Sequence, residues 1–349
     1  MTGPLTVAAA RALTTGLLAA TGVESAAAAQ TAQALVLADV WGVGSHGLLR
    51  LPFYLQRLAE GGCRPAARLR PVTDTGPLVT YDGEDGLGHW QVWRAAETAR
   101  DRCAAAGVAV VAVGRSSHCG ALGVYTLPLL AAGYVALVFS HGPAVMPPWG
   151  GSAPVLSTSP IAAGVPSKPR PAIVDLATSA VARGKIAGHA QRGEPIPDGW
   201  AFTATGEPTT DPAAALRGML APLGGAKGYA LAFLVEALTG GLVGPALSTD
   251  VADMLAAQDA SRPQRISHLV VAFDPARLDI GPDGPGSPGG PPRLDALAAS
   301  VAAAGGRLPG SRRLLPDEVD EQATLRVAEP VLAEIGEWAR RLEVPLAGT

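Results

Sequence analysis

The stretch DVWGVGSHGLLRLPFY, residues 39–54, decides how this chain is read. Its centre, GVGSHG from Gly42 to Gly47, matches G-x-G-x-x-G literally, and Glu60 follows near the place an acidic ribose ligand would take. That fingerprint needs a strand before it and a helix opening directly after it. Here Thr31 to Val40 continues a helical run of Ala, Leu and Val, and His46 would intrude on a pyrophosphate turn. A Rossmann site is therefore not expected at these glycines. The same residues read better as chemistry, because Ser45, His46, Arg50 and Tyr54 place a hydroxyl, an acid/base, a fixed cation and a phenol within about three helical turns.

Working outward, two more of the six histidines stand beside small residues where an apolar run stops: His118 in GRSSHCGALG and His141 in VFSHGP. His89, His189 and His268 lack such a setting and are expected to be structural. His141, directly after the run Tyr134 to Ser140, is expected to reach a cleft rim rather than the core.

The net charge of -3 and 16% charged residues disfavour a nucleic-acid or anionic-membrane surface and suit small, singly charged metabolites. Cys63, Cys103 and Cys119 are odd in number and lack metal-site spacing, so neither a disulfide framework nor a zinc knuckle is implied and a reducing, cytoplasmic setting is expected. LTTGLLAATGVESAAAAQ superficially resembles a secretory segment. Its apolar run is diluted by Thr14, Thr15, Gly16 and Thr21, and two ordinary helices, Pro4 to Ala20 and Glu24 to Leu37, are the better reading. No apolar stretch is long enough to span a membrane.

Apolar periodicity predicts further helices over Leu48–Gly61, Ala121–Ala132 (kinked at Pro128), Pro212–Leu220, Gly228–Leu242 and Asp320–Leu342. In the first, Leu48, Leu51, Leu55 and Leu58 form one stripe, with Arg50, Tyr54 and Arg57 on another. Runs rich in β-formers predict strands over Val108–Val113, Tyr134–Phe139, Ala172–Asp175 and His268–Phe273. The segment Gly281–Pro292 is low-complexity and predicts a surface loop.

With these pieces in order, a family resemblance is plain. DVWGVGSHGLLRLPFY, VAVGRSSHCGALGVY, MPPWGG, VDLATSAVARGKI, IPDGWA with TTDP, and PLGGAKGYALAFLVEALTGGLVG resemble, in the same order, the malate/L-lactate dehydrogenase family of the non-Rossmann type. That family includes ureidoglycolate and sulfolactate dehydrogenases and reductases of cyclic imino acids such as piperideine-2-carboxylate. The resemblance runs from about residue 4 to 330. It implies an α/β fold with a largely antiparallel central sheet and a helical domain, a homodimer, and a nicotinamide cofactor, NAD or NADP. It assigns proton transfer to His118, with Ser45 and His46 in the same site, and the substrate carboxylate to Arg50, near Tyr54. Ser140, the DLATS stretch beginning Asp175, Leu176 and Ala177, Lys227 of GGAKG, and Arg307, Pro309 and Gly310 of RLPG look like cofactor contacts. Arg115, His141 and Thr158-Ser159-Pro160 depart from the family pattern around the nicotinamide pocket, and SRR after RLPG replaces its usual acidic residue; a specialised substrate such as a cyclic imine becomes plausible beside malate or lactate.

Independent chemistry fits this assignment. Hydride delivery to a carbonyl or imine carbon needs a nearby proton donor, which histidine supplies, and a guanidinium binds a 2-oxo acid's carboxylate bidentately. Asp175 could instead cap a following helix, Lys227 could be a surface charge, and Tyr54 could be core. Two other classes stay open at this point: a metallohydrolase using His46, His118 and His141, and a catalytically silent scaffold of the same fold. The domains are expected at 1–75 with 312–349 (helical) and 76–311 (sheet, cofactor and catalysis).

Overall fold

The computed structural model describes residues 5–253, 256–280 and 290–345. Helix α1 (Val7–Ala20) starts at Thr6, whose hydroxyl accepts the Ala9 N–H, and α2 (Ser25–Val40) at Glu24, whose carboxylate accepts that of Ala27. Such caps satisfy otherwise orphaned amides of the first turn. Helix α3 (Leu51–Glu60) has Pro52 in its first turn and ends at Gly61, whose φ of +87° suits glycine. It is preceded by two short 3-10 turns, Gly44–His46 and Leu48–Arg50, so it opens three residues later than the periodicity predicts.

Helices α4 (Gly88–Ala106), α5 (Leu127–Leu130), α6 (Arg183–Arg192), α7 (Pro212–Arg217), α8 (Ala226–Glu236), α9 (Gly290–Ala303) and α10 (Glu329–Arg341) complete the described helical set. Helix α10 packs with α1, α2 and α3 around Leu17, Leu35, Leu51, Leu55 and Ile335. Tyr54 and Arg57 are buried in α3 as well, so the expected second stripe is not a solvent face. Arg57 is tolerated there because its guanidinium donates to the carbonyls of Gly62, Arg262 and Asp259.

The strands, in chain order, are β1 (Arg70–Asp74), β2 (Leu78–Asp82), β3 (Val108–Ser116), β4 (Val135–Ser140), β5 (Ile161–Val165), β6 (Ala172–Leu176), β7 (Ala201–Phe202), β8 (Pro208–Thr209), β9 (Met219–Leu220) and β10 (Ile266–Phe273). The main sheet runs β1-β2-β3-β10-β4-β5-β6, and only β2 with β3 is parallel. Its central strand β10 is almost continuously buried, which is why HLVVAF reads as a run rather than an alternation. Strands β8-β7-β9 form a small second sheet, over a separate apolar cluster that includes Met146, Ile186, Leu220 and Ala232.

Several expectations are corrected. Pro128 does not kink a long helix; residues Leu122–Thr126 form a 3-10 turn and Pro128 sits in the first turn of α5, where its missing N–H costs nothing. The segment from Pro212 stops at Arg217 and Met219–Leu220 turns into β9. The stretch expected to continue α8 to Leu242 widens into a π turn over Ala237–Gly241. Residues 320–328 are not helical: Thr324 bridges to Thr6 and Leu325 donates to the Leu5 carbonyl, so α10 begins only at Glu329. The predicted loop Gly281–Pro292 lies outside the described residues up to 289, and its last three residues begin α9. Among the described residues no helix is long and apolar enough to cross a membrane.

Candidate active site

Helix α2, not a strand, leads into GVGSHG, and two 3-10 turns follow it. The turns fold residues 44–50 back on themselves: Ser45 Oγ lies 2.9 Å from His46 Nδ1, and Arg50 Nε donates to the Ser45 carbonyl at 2.9 Å. The end of β3 brings His118 onto this turn, with its ring stacked on that of His46 at 5.7 Å between centroids. Tyr54, one turn into α3, completes the group through a 2.7 Å contact between its hydroxyl and His118 Nδ1. Ser45, His46, Arg50, Tyr54 and His118 are therefore one cluster, although up to 73 positions apart in sequence.

His118 is held on three sides. Its backbone N–H donates to Gln264 Oε1 at 3.1 Å, the Gly120 N–H points at Nδ1 at 3.3 Å, and Tyr54 occupies the same ring edge. Nε2 has no partner among the described residues, which leaves it the ring atom available to a ligand. Behind it stand two histidines that sequence context did not single out. His89, fully buried in α4, packs edge-on to Tyr54 at 4.7 Å, and His268 of β10 has Nε2 3.1 Å from the Ser117 carbonyl. The apolar face of α4 is built from Ala95, Ala96, Ala99 and Cys103, too small to advertise the helix; His89 was therefore missed together with its helix.

Burial sets the protonation of this cluster. It presses the His46 imidazole down to about 4, with the Arg50 cation adding to the effect, and holds His118 well below the ordinary histidine range, helped by repulsion from His46 and His89. His89 and His268 fall to about 3 for the same first reason. Burial therefore favours the uncharged form of each ring. Burial also drives the Tyr54 phenol far up, so it stays protonated and can donate or accept beside His118.

His141 is placed differently from expectation. It is buried, only 3% exposed, rather than at a rim. The pairing of β4 with β10 turns its ring inward, where Nδ1 accepts the Ser267 N–H at 3.3 Å and the Glu236 carboxylate acts on it electrostatically. Ser140 is likewise buried, and its hydroxyl donates to the His141 carbonyl. Arg115 points to Asp82 and Asp85 at 3.0 and 3.3 Å.

The residues expected to hold a cofactor gather along β6. Asp175 caps no helix; its carboxylate accepts the Gly123 N–H at 3.0 Å, with Arg313 at 3.7 Å, and burial raises its pKa against these two favourable contacts. Leu176 and Ala177 follow at the exposed end of the strand. The DLATS and GGAKG stretches meet directly: Leu223 N–H donates to the Thr178 carbonyl at 2.8 Å and Ser179 bridges to Pro222. Gly224 and Gly225 take positive φ, and Lys227 is exposed in the first turn of α8. The RLPG segment lies against the same strand through the Pro309 carbonyl, which accepts Ile173 N–H at 2.9 Å, while a Cβ at Gly310 would fall 2.5 Å from the Ile173 carbonyl oxygen. Arg307 is exposed beside it. Among the described residues, no three His, Cys, Asp or Glu side chains converge as a metal site.

A sequence-family comparison matches residues 5–335 to the malate/L-lactate dehydrogenase model. The chain belongs to the malate/L-lactate dehydrogenase family. Like other members of that family it is a nicotinamide-dependent oxidoreductase using NAD or NADP. It is 38% identical over 333 residues to a (2R)-3-sulfolactate dehydrogenase (NADP(+)) of Chromohalobacter salexigens, covering 95% of this chain and 96% of that one. It is 36% identical over 295 residues to a Δ1-pyrroline-2-carboxylate/Δ1-piperideine-2-carboxylate reductase of Pseudomonas aeruginosa, covering 83% and 86%. The sulfolactate dehydrogenase structure of Methanocaldococcus jannaschii superposes with a TM-score of 0.85 at 27% identity over 99% of this chain and 98% of that one, so the fold of this family member is the sulfolactate dehydrogenase-like one.

Proposed function

We propose that the enzyme interconverts a small 2-oxo acid and its 2-hydroxy acid, with His118 moving the proton. The observation that carries this is the contact between Tyr54 Oη and His118 Nδ1, which leaves Nε2 unpartnered beside His46 and Arg50. A phenol that both donates and accepts can serve the ring in its neutral and its protonated form. When protonated, the ring gives Nδ1–H to Tyr54 and keeps Nε2–H for the oxygen that becomes a hydroxyl. When neutral, it can take that proton back. Arg50, already oriented through its Nε, offers the remaining guanidinium nitrogens to the substrate carboxylate, and the Ser45–His46 pair forms the neighbouring wall.

The nicotinamide, when bound, supplies or accepts the hydride. The residues present fit such a group: positive-φ Gly224, open on its Cβ side, with positive-φ Gly225 next to it, exposed Lys227 and Arg307, and the backbone of Asp175, Leu176, Ala177, Pro309 and Gly310 lie on β6 or on the segments that meet it. A second reading, reduction of a cyclic imino acid, is favoured by the likeness to the Pseudomonas reductase. It uses the same carboxylate anchor. A panel of L-lactate, L-malate, sulfolactate and Δ1-piperideine-2-carboxylate with each cofactor separates the two, and absence of nicotinamide turnover across the panel overturns both.

We also take the enzyme to be a cytoplasmic homodimer. Its three cysteines are free, and α8 exposes Leu231, Phe233 and Leu234 close in sequence to exposed Leu242 and Leu247, an apolar face that a second copy would cover. Light scattering of the Phe233→Asp variant tests this, with a monomer expected. The domain division we favour joins residues 1–75 to 312–349, supported by the cluster uniting α1, α2, α3 and α10, with β1 at the border of the 76–311 unit.

A further inference from the structure

Asp39 is oddly placed. It lies in the last turn of α2, where the helix dipole disfavours an anion, it is half-buried, and among the described residues no Lys, Arg or His nitrogen lies within 4.0 Å of it. Burial lifts its pKa to about 6, and the hydrogen bond to Leu48 offsets this only in part. An unpaired half-buried carboxylate costs stability, so its presence asks for a reason.

The reason is visible in what the carboxylate touches. Oδ2 accepts the Leu48 N–H at 2.8 Å, the first amide of the 3-10 turn that ends in Arg50. A Cβ on Gly47 would sit 2.2 Å from Oδ1 and 2.4 Å from Oδ2, so the backbone of the turn rests directly on the carboxylate. Gly44, at the start of the preceding turn, is the next nearest, at 3.4 Å from Oδ1 to its ideal Cβ. Between these two glycines stand Ser45 and His46. Arg50 is tied into the same unit by its own N–H to the Gly47 carbonyl and by Nε to the Ser45 carbonyl, both at 2.9 Å.

We propose that Asp39 is a positioning residue of the active site: its carboxylate, seated under Gly44–Leu48, fixes the paired 3-10 turns that aim His46 and Arg50 at the substrate. Substrate-side geometry is held at the expense of fold stability, a trade found where a functional site needs a buried charge. The inference rests on the proposed function only for its activity readout.

The test is Asp39→Asn, which keeps shape and an acceptor but removes the charge, alongside Asp39→Ala. Three quantities are read: Tm at pH 8, the affinity of the cofactor-loaded enzyme for oxalate as a non-reacting 2-oxo-acid mimic, and kcat/KM on whichever panel substrate the wild type turns over. Asp39→Asn is expected to raise Tm while weakening oxalate and lowering kcat/KM by roughly tenfold, with NADH or NADPH affinity changed less than about twofold. Asp39→Ala, lacking the acceptor, should lose more activity. An Asp39→Asn protein with wild-type oxalate affinity overturns the proposal, as does one whose affinity and Tm fall together, because that is the mark of a merely structural residue. If no panel substrate is turned over, the proposed function fails, while oxalate binding and Tm still decide this inference.

Discussion

The cluster at the end of β3 and the strip along β6 are built from different materials, in keeping with the two different roles we propose for them. Around His118 the working groups are side chains locked by side chains: Tyr54 on Nδ1, His46 stacked at 5.7 Å, His89 and His268 behind, Gln264 on the backbone. Along β6 the surface is mostly backbone and glycine, with two exposed cations and the strand edge as its frame. The proton transfer we propose needs one ring atom held at one place; the grip we propose on a long polyanionic cofactor needs many shallow contacts and close backbone approach. Substitutions in the first region should therefore change turnover, and those in the second should change affinity.

The sharpest way to break this contrast is His118→Ala. Turnover should fall by about 10²-fold or more while cofactor affinity, measured by fluorescence titration, stays put. Near-normal turnover would move proton transfer to His46. Next in size is Arg50→Lys, which keeps the charge but loses the forked geometry; KM for a carboxylate substrate should rise by roughly tenfold with little effect on cofactor binding. Equal shifts in both constants would make Arg50 structural.

Acid should act on the first region through stability. His46, at about 4, and His89 and His268, at about 3, all titrate lower folded than the roughly 6.5 of an unfolded chain. Below pH 6.5 the unfolded state binds more protons, so stability present above that pH is lost as pH falls toward 4 and then 3. Asp39 works in the opposite sense, its folded carboxyl taking up a proton near pH 6, and offsets part of the loss. Calorimetric Tm should drop by several degrees between about pH 7 and 5; a flat Tm would mean the rings are not held neutral.

On the β6 side, Lys227→Ala should weaken the cofactor a few-fold and leave kcat at saturation almost unchanged. A loss of kcat instead would show that the strip shares in the chemistry. The smallest effect is expected from His141→Asn. Since the ring is buried against Ser267 rather than at a rim, it should shift the ranking among 2-oxo acids and imines by a few-fold through packing, and an unchanged ranking would mark it as filler.

Much of the first region was legible in the sequence because its residues carry chemistry in short, dense runs. A Rossmann turn was not expected at GVGSHG, and α2 stands where a Rossmann strand would have to be. What could not be read was whatever depends on distant partners. His89 and His268 gain their meaning only when α4 and β10 close behind β3, and Asp39 only when the chain folds back so that Leu48 meets it. β5, with small residues in IAAGV, gives a weak strand signal, and it forms because β4 and β6 flank it. The long helix expected to start at Asp320 fails for a similar reason: Thr324 and Leu325 find backbone partners at Thr6 and Leu5 that compete with helical ones.

The position of β10 has a consequence for how the chain is made. It enters at residue 266 yet lies between β3 and β4, so the two halves of the sheet share no direct strand pairing until it arrives. On a ribosome, β1-β2-β3 and β4-β5-β6 must wait as separate pieces, each with an open edge, while more than two thirds of the chain emerges. Gln264 and His268 travel with the missing strand. The insertion that joins the halves therefore also finishes the back wall of His118, and a nascent chain has the ring we propose as its acid/base held in place only at the step that seals the sheet.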